Sequence, residues 1–391
     1  MNATAPRHVL PVLVLAQLAG VSPWFAVNAV MPELQRDHGW NAADVGTLTS
    51  AVQLGFIAGT LLFALLAVAD RFSPRRVFLL CSLAGAACTL AGVWSAGSFQ
   101  QLLLWRAATG FFLAGIYPVG MKIASQWFPQ GLGGALGWLI GALVLGSASA
   151  HAVRAVGAAL PWTMVFYTVA AAAALGGVLL YVALPERPRP AGQGAGLRWR
   201  ALGSIWTDRK VRASVLGYFG HMWELYTMWV LVPAILATRL AGAALSWAAF
   251  AVLGVGAFGC IVGGWWARRI GSARVAAWQL GASGLCCVAA PWLLQAGDAL
   301  FALWLVLWGI TVAGDSPQFS ALTAQNAPPL AVGSVLTLVN SIGFGISILS
   351  IQLFVTLAER HDLATLLPWL GLGPLLGVWA LRPLWRSRPF S

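Results

Sequence analysis

Twelve runs of about twenty or more apolar residues follow one another along the chain, and no other feature limits its fold so tightly. A run of that length wound as an α-helix crosses about 30 Å of hydrocarbon. Hydrocarbon offers the backbone no partner outside its own helix, so the runs must be helices. They cover residues 9–31, 44–69, 77–97, 100–123, 131–153 and 161–184, then 211–237, 244–267, 274–296, 299–323, 332–357 and 364–382. The sequence therefore predicts an all-α polytopic membrane protein with twelve transmembrane helices. Only 9% of its residues are charged, against about a quarter in soluble domains. The connections are short, and no soluble domain is expected. The first run passes into Met31-Pro32-Glu33 without a small-residue cleavage site, which predicts a retained helix and not a signal peptide.

The one stretch unlike the rest lies in the middle, Leu184 to Arg212, where Pro185, Pro188 and Pro190 alternate with glycines and basic side chains. It reads as a cytoplasmic linker over 185–210 between two domains of similar length, 1–184 and 211–391. Sliding the first over the second brings Trp105, Gly110, Ala114, Gly115, Pro118, Gln126 and Pro129 onto Trp304, Gly309, Ala313, Gly314, Pro317, Gln325 and Pro328. Ala69 to Val77 falls on Ala267 to Val275 in the same way. A parallel repeat of this size predicts two pseudo-symmetric six-helix bundles, the organisation of one class of secondary transporter.

The net charge of +12 would suggest nucleic acid in a soluble chain, but its distribution is topological. Arg7, Arg71, Arg75, Arg76, the linker cations, Arg268, Arg269, Arg274, Arg382, Arg386 and Arg388 all fall on one predicted side, against Arg36, Arg154, Arg239 and Arg360 on the other. The positive-inside rule then puts both termini and the linker in the cytoplasm of an inner (plasma) membrane protein. No nucleic-acid partner is expected; the lipid bilayer and a small-molecule substrate are. Cys81, Cys88, Cys260, Cys286 and Cys287 lie within apolar spans without metal-ligand spacing and read as packing residues. No Gly-Lys-Ser/Thr phosphate loop, Ser-His-Asp set or His-Glu-x-x-His pattern is present, so neither ATP-driven transport nor hydrolysis is expected, and no metal or cofactor. The chain is not expected to be an enzyme.

Polar side chains inside spans are the candidate site. Helix 1 carries Trp24 and Asn28; helix 4 carries Arg106, Tyr117 and Lys122, with Tyr117 three turns from Arg106 on the same face. Helix 7 holds the densest cluster, with His221, Glu224 and Met228 sharing a face and Glu224 near the middle of the bilayer. An acid at that depth is costly to ionise, so it either holds a proton or pairs with a cation such as His221 or Arg106. Helix 10 contributes the other deep acid, Asp315, and Gln318; helix 11 contributes Asn340.

The turn Ala67-Val68-Ala69-Asp70-Arg71-Phe72-Ser73-Pro74-Arg75-Arg76 resembles the signature between helices 2 and 3 of the major facilitator superfamily, with Leu66 and Ser73 where that family usually has glycine. Gly264, Arg269, Gly271 and Arg274 repeat it in the second half, with Arg268 replacing the acid. Arg106 and Gly110 resemble the family's helix-4 R-x-x-x-G pattern. Helix 5, with Gly137, Gly141 and Gly146, lacks the proline of the family's drug antiporters, which counts against a multidrug exporter. The resemblance covers the whole chain. It implies that Asp70, Arg71, Arg75, Arg76, Arg269 and Arg274 form a gating turn, that Arg106 serves coupling or gating, and that a central cavity opens alternately to each side.

The expected function is proton-coupled secondary transport of a small polar or organic solute by a monomer, with Glu224 and Asp315 carrying the coupling. Two alternatives stay open: an uncoupled lipid-moving or sensor protein of the same fold, and a copper importer using His221, Met222 and Met228, whose imidazole and thioethers suit Cu(I). The orientation is testable directly. A cysteine at position 193 should react with an impermeant thiol reagent only after cells are opened, and labelling in intact cells would overturn the assignment.

Overall fold

The computed structural model describes residues 6–128, 132–186, 197–328 and 331–385. Linker residues 187–196, Pro129 of the repeat, and Arg386 and Arg388 lie outside the described residues. Among those described there is no strand, and the long elements are twelve helices. We number them α1 (Val9–His38), α2 (Ala42–Leu65), α3 (Pro74–Trp94), α4 (Phe99–Trp127), α5 (Leu132–Val156) and α6 (Thr163–Ala183). The second set is α7 (Arg209–Ala237), α8 (Gly242–Ile270), α9 (Ser272–Leu293), α10 (Asp298–Asn326), α11 (Val332–Ala358) and α12 (Leu363–Trp385). Ten of them are long and apolar enough to cross a membrane. The other two, α7 and α9, are long enough at 29 and 22 residues but dilute their apolar runs with polar groups.

Five of the helices are interrupted where the sequence cannot sustain the hydrogen-bond ladder. α1 breaks at Ser22–Phe25 around Pro23, and α4 breaks between Leu113 and Tyr117 ahead of Pro118. α10 breaks at Asp315 ahead of Pro317, the position in the second half that matches the α4 break. α8 is interrupted at Val255, between two glycines, and α12 at Gly371. The largest departure from the expected boundaries is at the end of α1. α1 does not end at Met31 but runs to His38 with Pro32 inside it, because one proline releases a single carbonyl and leaves the rest of the ladder intact. Gly39, with φ of 70°, then closes the helix in the left-handed region by donating its N–H to the Gln35 carbonyl at 2.8 Å.

The backbone gathers into two compact units, Met1–Trp40 with Thr47–Leu197 and Asn41–Gly46 with Arg198–Ser391. In the first, α1 packs on α5 and α6 while α3 packs on α4 and α6; in the second, α7 packs on α11 and α12 while α9 packs on α10 and α12. The repeat read from the sequence is thus also a repeat of packing. A Cβ placed on Gly110 of α4 would lie 1.9 Å from the Val52 carbonyl oxygen of α2, and one on Gly309 of α10 would lie 2.0 Å from the Val252 carbonyl oxygen of α8. Gly59 meets the Phe111 carbonyl at 2.3 Å, and Gly259 meets the Ile310 carbonyl at 2.1 Å. In lipid no solvent drives helices together, so backbone contact through glycine is what holds each pair.

These contacts predict matched defects. Gly110→Ala and Gly309→Ala should each destabilise by about 1–3 kcal/mol, the usual range for overpacking, read as a lower thermal midpoint of the purified protein. Gly345→Ala, where an added Cβ meets nothing within 4 Å, should be neutral or stabilising. Equal midpoints for all three variants would refute the glycine-contact account.

Candidate functional site

α7 starts cleanly because the Asp208 side chain accepts from the backbone N–H groups of Lys210 and Val211 at 2.7 and 3.2 Å. No proline interrupts the helix before Pro233, so His221 and Glu224 stand on consecutive turns near the middle of α7. Glu224 is fully buried. Its Oε1 accepts from Trp308 Nε1 of α10 at 2.6 Å and from Cys287 Sγ of α9 at 3.2 Å, and its Oε2 accepts from Ser283 Oγ of α9 at 2.7 Å. Ser283 Oγ is also 3.0 Å from the Leu280 carbonyl oxygen. That second acceptor matters chemically. When Glu224 is ionised the hydroxyl donates to it, and when Oε2 carries a proton the hydroxyl can turn to Leu280 and accept. The pocket therefore has hydrogen bonds for either protonation state of the acid.

Asp315 occupies the break in α10, with no side-chain exposure. His221 Nδ1 lies 2.8 Å from its Oδ1, an ion-pair distance without the alignment of a full hydrogen bond. The other ring nitrogen, Nε2, lies 2.9 Å from Ser316 Oγ. Tyr218 and Phe319 flank the imidazole, with ring centroids 5.9 and 5.7 Å away. His221 thus turns to Asp315 and not to Glu224, its neighbour on α7. The two fully buried acids have different partners: hydroxyl, thiol and indole donors for Glu224, an imidazole for Asp315. Gln318 is buried one turn beyond Asp315, and Asn340 is half-buried on α11.

In the first unit Arg106 is buried and spans the α1 break, with Nη1 donating to the Pro23 carbonyl at 2.9 Å and Nη2 to the Trp24 carbonyl at 2.5 Å. The guanidinium thus ties α4 to the backbone carbonyls at the α1 break. Trp24 packs on Phe56, with centroids 5.0 Å apart, and Phe56 stacks on Tyr117 at 6.5 Å. Asn28 bonds to Thr49 of α2, its Nδ2 donating at 2.9 Å. The α4 break between Arg106 and Tyr117 resets the helical phase, so their eleven-residue spacing no longer fixes a common face.

Lys122 reaches the turn after α2 and forms an ion pair with Asp70. Arg75 ties the start of α3 to the end of α6, donating to the Leu184 carbonyl at 2.7 Å, pairing with Glu186 at 3.4 Å and lying over the Tyr181 ring. Arg71 and Arg76 are exposed. In the second copy Arg269 lies over the Trp265 ring at 4.2 Å, and Arg274 is half-buried. The two turns resolve their backbone differently: Gly271 takes a φ of 88°, whereas in the first copy the positive φ, 50°, falls on Ala67.

Sequence reasoning missed the donors around Glu224. Ser283 and Cys287 are four residues apart on α9 and share a face, a spacing visible in the sequence, but their α7 partner is set by packing. Cys287, expected only to pack, also donates to the acid.

The model of the Major Facilitator Superfamily matches residues 13–351. Two Escherichia coli proteins described as uncharacterised transporters, both named YgaY, are 30% identical over 193 residues. That match takes in 47% of this chain and 47% of each relative, so it spans about half their length. Among solved structures, the human organic anion transporter MFSD10 superposes with a TM-score of 0.74 at 18% identity, over 96% of this chain and 99% of that one. A bacterial homologue of the human lysosomal transporter Spinster, inward-facing and unoccupied, gives 0.69 at 18% identity over 96% and 94%. The nucleoside transporter NupG, as a point mutant, gives 0.71 at 15% identity over 97% and 100%. At these identities the likeness is one of fold. With the family match running over most of the sequence and the fold shared over nearly all of it, this chain belongs to the Major Facilitator Superfamily of transporters.

Proposed function

We propose that the protein is a proton-coupled secondary transporter that moves a small polar or organic solute by alternating access across an inner membrane, with both termini cytoplasmic. The observation that carries this reading is Glu224, a fully buried acid deep in a membrane-spanning helix with hydrogen bonds for either protonation state. An acid in hydrocarbon is expensive, about 2.5–3.5 kcal/mol on insertion scales, and is kept there for function more often than for structure. Asp315 with His221 supplies a second titratable pair in the same unit. In this reading Glu224 exchanges the coupling proton, and Asp315, held in a helix break beside Gln318, meets the solute.

Glu224→Gln fixes the protonated form. It should abolish accumulation against a gradient and spare exchange of solute for solute, which moves no net proton. Asp315→Asn should lose binding and exchange together. Both are measured in proteoliposomes with an imposed pH gradient, using solutes found by a thermal-shift screen, since a ligand stabilises the fold by mass action. Accumulation by the Gln variant that still follows the pH gradient would overturn the role of Glu224; wild-type transport indifferent to a protonophore would overturn coupling.

For the turn, the reading assigns Asp70 and Lys122 to a gate. Their side chains are about a quarter to a third exposed, so the pair contributes roughly 0.2–1 kcal/mol. Asp70→Asn should accordingly fold normally, yet transport more slowly and shift which face is open to labelling. Unchanged rate and unchanged labelling together would refute the gate.

A further inference from the structure

The cations at the start of α7 and the end of α12 surround a cleft of about 750 Å³ lined by Arg209, Lys210, Arg212, Leu216, Trp379 and Arg382. We propose that this cleft binds the phosphate headgroup of an anionic phospholipid, with the lipid chains lying along Leu216 and Trp379.

Charge is the first argument. All eleven acids of the chain lie in the described residues. Those in ion pairs are committed to Arg75, Lys122, Arg154, His221 and Arg239. The acid nearest the cleft in sequence, Asp208, spends its carboxylate on the backbone N–H groups that begin α7. Among the described residues, four like charges on two helices therefore converge without an ion pair to an acidic side chain, and Arg209, Lys210 and Arg382 are exposed. An anion from outside relieves that repulsion. A guanidinium fork matches phosphate geometry in particular.

Layering is the second argument. Arg209, Arg212 and Leu216 recur at helical spacing on one face of α7, and Leu216 lies about 10 Å deeper than Arg209. On α12, Trp379 lies one turn deeper than Arg382. Trp379 is 61% exposed and Leu216 38%. Cations thus form the rim and an indole with aliphatic surface forms the floor. A phospholipid has that order: a charged head, an interfacial region where indole rings settle, and then hydrocarbon. A soluble phosphate would use the rim alone.

The test uses the full chain purified in a neutral detergent, with binding read by native mass spectrometry and by thermal midpoint. Phosphatidylglycerol should stay bound and raise the midpoint, whereas phosphatidylcholine and inorganic phosphate at equal concentration should not. At about fivefold per cation, R209Q/K210Q/R382Q should weaken phosphatidylglycerol binding roughly 100-fold, while R209K/R382K, which keeps the charge and loses the fork, should weaken it far less. The wild type gives a check independent of any variant: binding should fall as salt rises, since the rim is exposed to screening. Equal retention of phosphatidylcholine, a midpoint shift with inorganic phosphate matching that with lipid, or salt-independent binding would each overturn the proposal.

Discussion

A polar group inside hydrocarbon can bond only to its own protein, and that constraint organises the long-range polar contacts of both units. In the first unit the carbonyls of Pro23 and Trp24 lie at the α1 break, and Arg106 donates to them from α4. An arginine there is itself costly, and two charge-assisted bonds to the carbonyls at the break offset that cost. Ser22 adds a bond from its hydroxyl to the Val169 carbonyl of α6. In the second unit the same constraint surrounds Glu224 with three donors on two helices. Arg106 and Glu224 thereby tie helices together, so removing either disturbs packing as well as chemistry.

The two copies agree where they are scaffold and differ where they carry chemistry. Gly59, Gly110, Gly259 and Gly309 make the same backbone contacts in the two units, at an offset of 199 or 200 residues. At that offset the broken segment Ser22–Phe25 of α1 aligns with His221–Glu224 of α7, and Arg106 aligns with Leu305. One copy satisfies its helix break with an arginine; the other keeps the helix whole and places an imidazole and a carboxylate there. Ile116 likewise gives way to Asp315 at matched breaks in α4 and α10. Duplication supplied a symmetric frame, and the acids belong to one half of it.

This division also explains what the sequence made legible. Helix number and the repeat follow from run length and glycine position, which are properties of single segments. The deep acids were visible because a carboxylate in an apolar run needs no partner to stand out. What surrounds them was not visible: Ser283 and Trp308 look like ordinary α9 and α10 residues until packing brings them to Glu224. The pairing of His221 with Asp315 and not with Glu224 depends on side-chain direction, which spacing along α7 does not fix. Lys122 and Asp70, 52 residues apart, were each noticed alone, and only the fold joins them.

If Glu224 carries the coupling proton, its donors set how the proton is held and released. The cost of an ionised acid in a span, about 2.5–3.5 kcal/mol, is close to the contribution of one or two hydrogen bonds to a charged group, about 1.5–3 kcal/mol each. Trp308 and Cys287 both address Oε1, while Oε2 faces only Ser283, whose hydroxyl has Leu280 as its second acceptor. In the proposed reading, Oε2 is the oxygen that takes and releases the proton. Its donors sit on α9 and α10 while the acid sits on α7, so a small shift between these helices gains or loses a bond of the required size. In the proposed reading, such a shift would link movement of the helices to the charge of the acid.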